Sequence, residues 1–466
     1  MSRSPSSSTG ADALIATEKR HSWHPFTAMR DWCAPDHEPL VLVEGEGAIL
    51  RDHCGREYLD GNSSIWTNLH GHRHPRLDAA LRDQLGKVAH TSFLGFTNPP
   101  AIRLAEELAA LWNRPGEEGG SASPLPRVFF SDDGSTAIEA ALKMAIQCRQ
   151  HRGETRRTRF VAFDNAYHGD TMGASSLGGV SAFHGRFSAY HFPSVHVASM
   201  EELEARTRPG RDFAGDAIDP EEITAVVIEP LIQGAAGMRL WPAGMLARLR
   251  DWCDRHGVFL IADEVMTGFG RTGAMFACQR EGVVPDFVAL AKGLTGGYLP
   301  LAATLVREEI YEAFLGDYAE MKTFFYGHSY TANQLGCAAA LANLSIFREE
   351  QVLERLQEKI AQLGDALRPL YGHPHIRNVR QCGFIAAFEV TQANGEPFDW
   401  RLQTGARACV AARKHGLLTR PIRDTLMLMP PYCVTEAQIR QCVESLRLGV
   451  EEAVRATGIE PVTPSA

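Results

Sequence analysis

Residues 258–273, VFLIADEVMTGFGRTG, join an apolar run to two adjacent acids and a glycine string. Gly268 to Gly273 spell G-x-G-x-x-G, the pattern of a dinucleotide-binding turn. That turn follows a strand directly and opens a helix. Here the glycines begin well past Asp263, and Arg271-Thr272-Gly273 is a poor helix start. We read GFGRTG as a flexible loop that lets the chain pass close to a ligand, and the apolar run ending in Asp263 as the informative part. Runs of the same kind recur as RVFFSDDG (127–134), RFVAF (159–163), AVVIEP (225–230) and DFVALAK (286–292), separated by helical patterns. Such alternation predicts an α/β fold with a mostly parallel sheet covered on both faces. Ligands of these sheets sit beyond the carboxyl ends of the strands, so the residues closing each run matter most.

Outside this centre the pattern changes. Residues 39–60 (PLVLVEGEGAILRDHCGREYLD) alternate apolar and polar residues around glycine, as small antiparallel strands do. Residues 101–113 carry an amphipathic helical pattern, and 114–126 form a Gly, Pro and Ser-rich loop. Residues 331–347 read as a long helix leading to a C-terminal region of helices and short strands. The expected division is a disordered tail at 1–18 and the N-terminal part of a smaller α+β domain at 19–95. A large α/β domain follows at 96–335, then the rest of the smaller domain at 336–458 and a tail at 459–466.

Composition narrows the function. At 44% hydrophobic and 22% charged, the chain has the balance of an ordinary globular protein, and its net charge of −9 offers no attraction to nucleic acid or anionic membranes. No apolar run reaches membrane-spanning length, and the opening MSRSPSSSTGADA lacks the apolar stretch of a secretory signal. Ten scattered cysteines without a CxxC pair fit reduced thiols in a cytoplasmic protein. LHGHRHP places His70, His72 and His74 at alternate positions, but no acid or cysteine follows at ligand spacing, so no metal site is expected.

Three strand ends acquire meaning together. Asp263 closes one apolar run, and Lys292 closes another 29 residues later, one crossover apart. Either could belong to a plain salt bridge. RVFFSDDGSTAIEAALKMA supplies a third element: strand, acidic turn, then Gly134-Ser135 opening a helix whose Thr136 and Glu139 fit a capping box. Free N–H groups at such a helix start seat a phosphate. An amine, an acid and a phosphate seat at strand ends meet the needs of pyridoxal 5′-phosphate, which takes a lysine on its aldehyde and an acid on its ring nitrogen.

At these residues the chain resembles the class III aminotransferases, which have the fold type I architecture of pyridoxal-phosphate-dependent transferases. The resemblance runs from about residue 20 to 455. IADEVMTGFGRTGAMFA with LAKGLTGGYLP is close to that class's lysine-site pattern, and SDDGSTAIEAALKMA and AYHGDTMGASS to its phosphate and ring-stacking motifs. The resemblance implies that Lys292 bonds the cofactor, Asp263 pairs with its ring nitrogen, and Gly134 and Ser135 hold its phosphate. It implies further that Tyr167 stacks on the ring and borders the substrate, with Gln233 near the ring's phenolic oxygen.

HSWHPFTAM, DGNSSIWTNLHGHRHP, FFYGHSYTANQLGCAAA and LLTRPIRDTLMLMPPY resemble, within the class, the branch that aminates 8-amino-7-oxononanoate in biotin biosynthesis. By that resemblance Arg420 binds the substrate carboxylate, and Gly327 borders the substrate. His328 and Ser329 reach the phosphate, usually that of the partner subunit, which implies a homodimer with shared sites. Members of the class acting on ω-amino acids often carry a glutamate where Ala235 stands; its absence leaves Arg420 unmasked. Members of the branch using S-adenosylmethionine usually have a tyrosine where Phe26 stands, a tryptophan at Ile65 and a tyrosine at Met427, while Trp66 keeps the next aromatic position. These changes resemble a subgroup that takes its amino group from L-lysine, and we place lysine ahead of S-adenosylmethionine. The remaining rivals are another ω-amino acid or amine transaminase of the class, a nicotinamide oxidoreductase, and a cofactor-binding regulatory protein.

Overall fold

A computed structural model of the chain describes residues 8–113, 123–207 and 216–458. Seven strands form its central sheet: β1 (Arg127–Ser131), β2 (Arg159–Phe163), β3 (Ser194–Val197), β4 (Ile223–Ile228), β5 (Phe259–Asp263), β6 (Phe287–Leu290) and β7 (Ala302–Val306). They lie in the order β1-β7-β6-β5-β4-β2-β3. Only β7 runs against its neighbours. The five apolar runs of the sequence are all strands of this sheet. Strands β4, β5 and β6 are buried along their whole length. Alternate residues face opposite layers: Val226, Leu260 and Val288 join the core on one face, and Val227, Ile261 and Ala289 that on the other.

The two ends of the chain meet in a second sheet. Leu42–Glu46, Ile49–Asp52 and Glu57–Asp60 form an antiparallel meander, and Leu417–Leu418 adds beside its last strand. A three-stranded antiparallel sheet of Ile376–Cys382, Ile385–Val390 and Thr425–Leu428 stands next to it, near the long helix Glu436–Ala456. The predicted 331–347 helix is seen as Gln334–Glu349, capped by Asn333, whose side chain accepts from Leu335 and Gly336 N–H.

The structure corrects three expectations. Ser8–His21 is a helix, α1, where a disordered tail was expected through residue 18. Its C-terminal part is tied down: Lys19 Nζ donates to the Ala34 and His37 carbonyls at 2.7 and 2.6 Å, and Trp32 Nε1 donates to the Glu18 carboxylate at 2.9 Å. Residues 1–7, most of the 114–126 loop and the 459–466 tail lie outside the described residues. The second correction concerns GFGRTG, expected as a flexible loop and found as a mostly buried, tightly held one. Arg271, fully enclosed, donates to the carbonyls of Pro430 (2.8 Å), Asn68 (2.9 Å) and Met429 (3.4 Å). Gly270 and Gly273, at φ 91° and 96°, make the turn that aims it there. The loop thus joins the central sheet to both terminal segments. Third, the β5–β6 crossover holds no α-helix, only the 3₁₀ turn Ala277–Glu281. Buried Glu264 organises it by accepting from Thr267 Oγ1 and from Ala277 and Cys278 N–H.

Candidate active site

Five strands deliver residues to one cavity of about 430 Å³ at their carboxyl ends. Gly134 and Ser135 follow β1, Tyr167 and His168 follow β2, and Glu229 follows β4. Asp263 ends β5, and Lys292 comes just after β6. Because β5 and β6 are parallel neighbours, with Asp263 opposite Ala289, the acid and the lysine open into the same crevice.

At the phosphate seat, the helix α2 (Gly134–His151) is capped by Asp133. Its carboxylate accepts from Thr136 N–H, and Thr136 Oγ1 accepts in return from Asp133 N–H. This capping box replaces the expected Thr136–Glu139 pair. Glu139 instead turns to the following loop and accepts from Thr171 Oγ1, Gly173 N–H and Ala174 N–H. The cap leaves the Gly134 and Ser135 N–H groups without a partner among the described residues, facing the cavity. A Cβ at Gly134 would lie 2.7 Å from a Val265 methyl, so the close approach requires glycine.

Lys292 is half-buried and stands at φ 44°, a left-handed conformation that costs a non-glycine residue roughly 1–2 kcal/mol and tends to persist where function needs it. Its Nζ has no hydrogen bond or ion pair among the described residues, only the Trp66 ring with its centroid at 4.8 Å. Burial pulls this amine below the usual lysine range, against the opposing pull of Asp263 and Glu229. Asp263 Oδ2 is 2.7 Å from His168 Nδ1, and Oδ1 accepts from Val265 N–H. Burial pushes the His168 imidazole down, but the hydrogen bond to Asp263 and the charges of Asp263 and Glu229 together more than offset it and leave His168 raised above its ordinary 6.5. His168 Nε2 is buried without a partner.

Tyr167 also lines the cavity. Its hydroxyl donates to Asp170 Oδ2 at 2.7 Å, and its ring lies parallel to that of His184 at 5.8 Å. Trp66 also lines the cavity, with its indole N–H unpartnered among the described residues. It closes a run of four left-handed residues, Ser63 to Trp66. Ile65, in the same run, is exposed and points outside the lining.

The other predicted residues lie further out. Gln233 is buried but turned back, its Nε2 donating to the Asp164 carbonyl at 3.0 Å, and it does not line the cavity. His328 Nδ1 sits 3.3 Å from Asp132 of its own chain, beside the phosphate seat. The Ser329 carbonyl accepts from His90 Nε2, and Gly327 lies outside the lining. Arg420 is exposed and donates to the Phe26 carbonyl at 3.2 Å, while the Phe26 ring meets Phe183 edge-on at 5.4 Å. Ala235 lines the cavity. Met427 does not: it is buried among Met238, Met266 and Met429. His70, His72 and His74 go to separate partners, Asn343, Asp60 and Glu350.

Two cavity residues escaped the sequence reading. His168 stands next to Tyr167 in AYHG, where only the tyrosine drew notice. Glu229 closes AVVIE just as Asp263 closes its own strand, and that shared pattern was the signal that could have found it.

The sequence pattern of the family described as "Aminotransferase class-III" matches residues 33–449. An adenosylmethionine-8-amino-7-oxononanoate aminotransferase of Nitratidesulfovibrio vulgaris is 47% identical over 95% of this chain and 82% of its own length. One of the same name from Geobacter sulfurreducens is 45% identical over 93% and 96%. Among solved structures, the enzyme of that name from Methanocaldococcus jannaschii superposes with a TM-score of 0.88 at 38% identity, covering 95% of this chain and 99% of its own. An (S)-enantioselective omega-transaminase from Thermomicrobium roseum gives 0.86 at 31% identity, with the same coverage.

Proposed function

The chain belongs to the class III aminotransferase family, and we propose that it transfers an amino group to 8-amino-7-oxononanoate, giving 7,8-diaminononanoate for biotin synthesis, with pyridoxal 5′-phosphate as cofactor. The observation that carries the reading is a lysine without a polar partner among the described residues, in one cavity with the hydrogen-bonded Asp263–His168 pair and two free helix N–H groups. These residues suit the cofactor's three handles. The Gly134 and Ser135 N–H groups and the helix dipole of α2 suit a phosphate. Asp263, a carboxylate at a strand end hydrogen-bonded to His168, suits a protonated ring nitrogen. Tyr167 offers its face to the ring.

Pyridoxal phosphate, when bound, supplies an aldehyde carbon to receive the amino group and a ring that takes up the electrons of the broken C–H bond. Lys292 does the acid–base work. Burial lowers its amine below the usual lysine range, which favours the neutral form that takes the proton from the donor's amino-bearing carbon and later returns it. The same proton transfers run in reverse on the keto acid, so each half of the turnover uses the one base.

Arg420 is the proposed holder of the keto acid's carboxylate, with the fork geometry for two parallel hydrogen bonds. In the free chain it donates to a neutral carbonyl, so its charge stays available. Arg420→Met is expected to raise the KM for the keto acid by about 10- to 100-fold, the worth of a charge-assisted contact, with a smaller change in kcat. Steady-state kinetics against the keto acid check this, and an unchanged KM sinks the assignment.

For the amino donor, the relatives' names carry adenosylmethionine, whereas Phe26 and Ile65 remove the aromatic and hydroxyl surface suited to a sulfonium. We expect the purified protein to show a visible absorbance band that borohydride abolishes, and L-lysine to bleach that band in the absence of keto acid. Bleaching by S-adenosylmethionine alone overturns the lysine assignment and leaves the keto acid reading standing. An intact band with 8-amino-7-oxononanoate inert as acceptor favours a general amine transaminase. The proposed assembly is a homodimer. Exposed Leu94, Phe96, Phe325 and Tyr330, in the two segments around His90 and Ser329, offer the apolar surface for it.

A further inference from the structure

Glu229 is a buried carboxylate with no ion pair among the described residues. Its Oε1 accepts from Tyr167 N–H at 3.0 Å and its Oε2 from Gly234 N–H at 2.8 Å. Those N–H groups begin the two loops that bracket the cavity, one carrying the Tyr167 ring and the other Ala235. A carboxylate offers an acceptor to each; an amide of the same shape offers one acceptor and a donor that would oppose the second N–H. The charged groups facing it are His168 after β2, Asp263 on β5 and Lys292 after β6. The Tyr167 phenol is turned away toward Asp170.

We propose that Glu229 is a positioning residue for amino transfer: its two oxygens pin the Tyr167 loop to the Gly234 loop, and its charge is a second carboxylate that holds a proton on the Lys292 nitrogen. The proposal rests on the reading that pyridoxal phosphate binds at Lys292. Burial raises the Glu229 carboxyl to about 7, so this charge is itself at the edge of ionisation near neutral pH. A purely structural clamp would not need a negative charge aimed at a lysine, which is what the test separates.

Two variants divide the roles. Glu229→Gln removes the charge and one acceptor, and Glu229→Asp keeps the charge but shortens the reach. In the holoenzyme, the pH midpoint of the visible band is expected to fall by about one unit in Glu229→Gln, because the protonated lysine nitrogen loses a carboxylate, and to stay within a few tenths in Glu229→Asp. Reconstitution of the stripped protein should show cofactor affinity weakened roughly tenfold in both, from the loosened Tyr167 loop. A parent-like midpoint in Glu229→Gln overturns the charge role, and parent-like affinity in both overturns the clamp. If Glu229→Gln does not fold, Glu229→Asp decides alone: weakened affinity with an unmoved midpoint supports the proposal, and parent-like affinity refutes it. A parent protein without any visible band removes the cofactor reading itself, and the proposal with it.

Discussion

Lys292→Ala is expected to fold, to take up the cofactor, and to lose at least about 10⁴-fold in turnover, since one side chain supplies both the covalent anchor and the proton transfers. The fold should tolerate the change. Lys292 lends no hydrogen bond to the protein, its backbone is as left-handed for alanine as for lysine, and the lost contact is one face of Trp66. Removing a buried amine also removes a desolvation cost, so the melting temperature should hold or rise. The phosphate and ring contacts proposed at Gly134, Ser135, Tyr167 and Asp263 are untouched, so the cofactor should bind without a borohydride-sensitive link. Single-turnover product formation measures the loss. Turnover within tenfold of the parent removes Lys292 from the proton path, whatever the spectrum shows.

The legible residues and the missed ones differ by a physical criterion. Strands buried on both faces must be continuously apolar, so a charge closing such a run is conspicuous, and Asp263 and Lys292 stand out for that reason. Glu229 obeys the same rule. It is less conspicuous because its partners are two backbone N–H groups that no side-chain pattern encodes. His168 was hidden for a similar reason. Its bond to Asp263 spans two strands that are not neighbours in the sheet and is set by the sheet order alone.

The glycines of GFGRTG misled in the other direction. Glycine signals backbone freedom in the unfolded chain, but here it makes a turn in a buried loop, and Arg271 supplies the rigidity by donating to three carbonyls of distant segments. Likewise the Ser-rich N-terminus suggested disorder. The helix that starts at Ser8 is held by Lys19 and Glu18, whose partners Ala34, His37 and Trp32 come within reach only once the chain turns back on itself. Local composition reports propensity, and both corrections come from non-local hydrogen bonds.

Asp263→Asn should cost about 10²- to 10³-fold in kcat, the scale of removing one preorganised electrostatic partner from a water-excluded site. The substitution keeps the shape and the Val265 contact, so the loss is one of charge. Two buried groups respond with the same sign. His168 is held above its ordinary value chiefly by Asp263, with a smaller pull from Glu229, and Lys292 is held up partly by Asp263, so both shift down and lose protons more readily. On the proposed reading, a ring nitrogen held at this position would face an amide and would no longer be kept protonated, so the ring would take up carbanion electrons less well. Stability follows by linkage. In the parent, the His168 pair stabilises the fold fully below the ordinary histidine value of 6.5, and that contribution is lost as pH rises through the raised folded value. Asp263→Asn should therefore lower the melting temperature most on the acid side of neutrality and flatten its pH dependence there. Melting curves across pH, beside kcat at a fixed pH, separate this pair from a neutral hydrogen bond. A parent-like acid limb together with full activity would show that Asp263 carries no charge that matters to either.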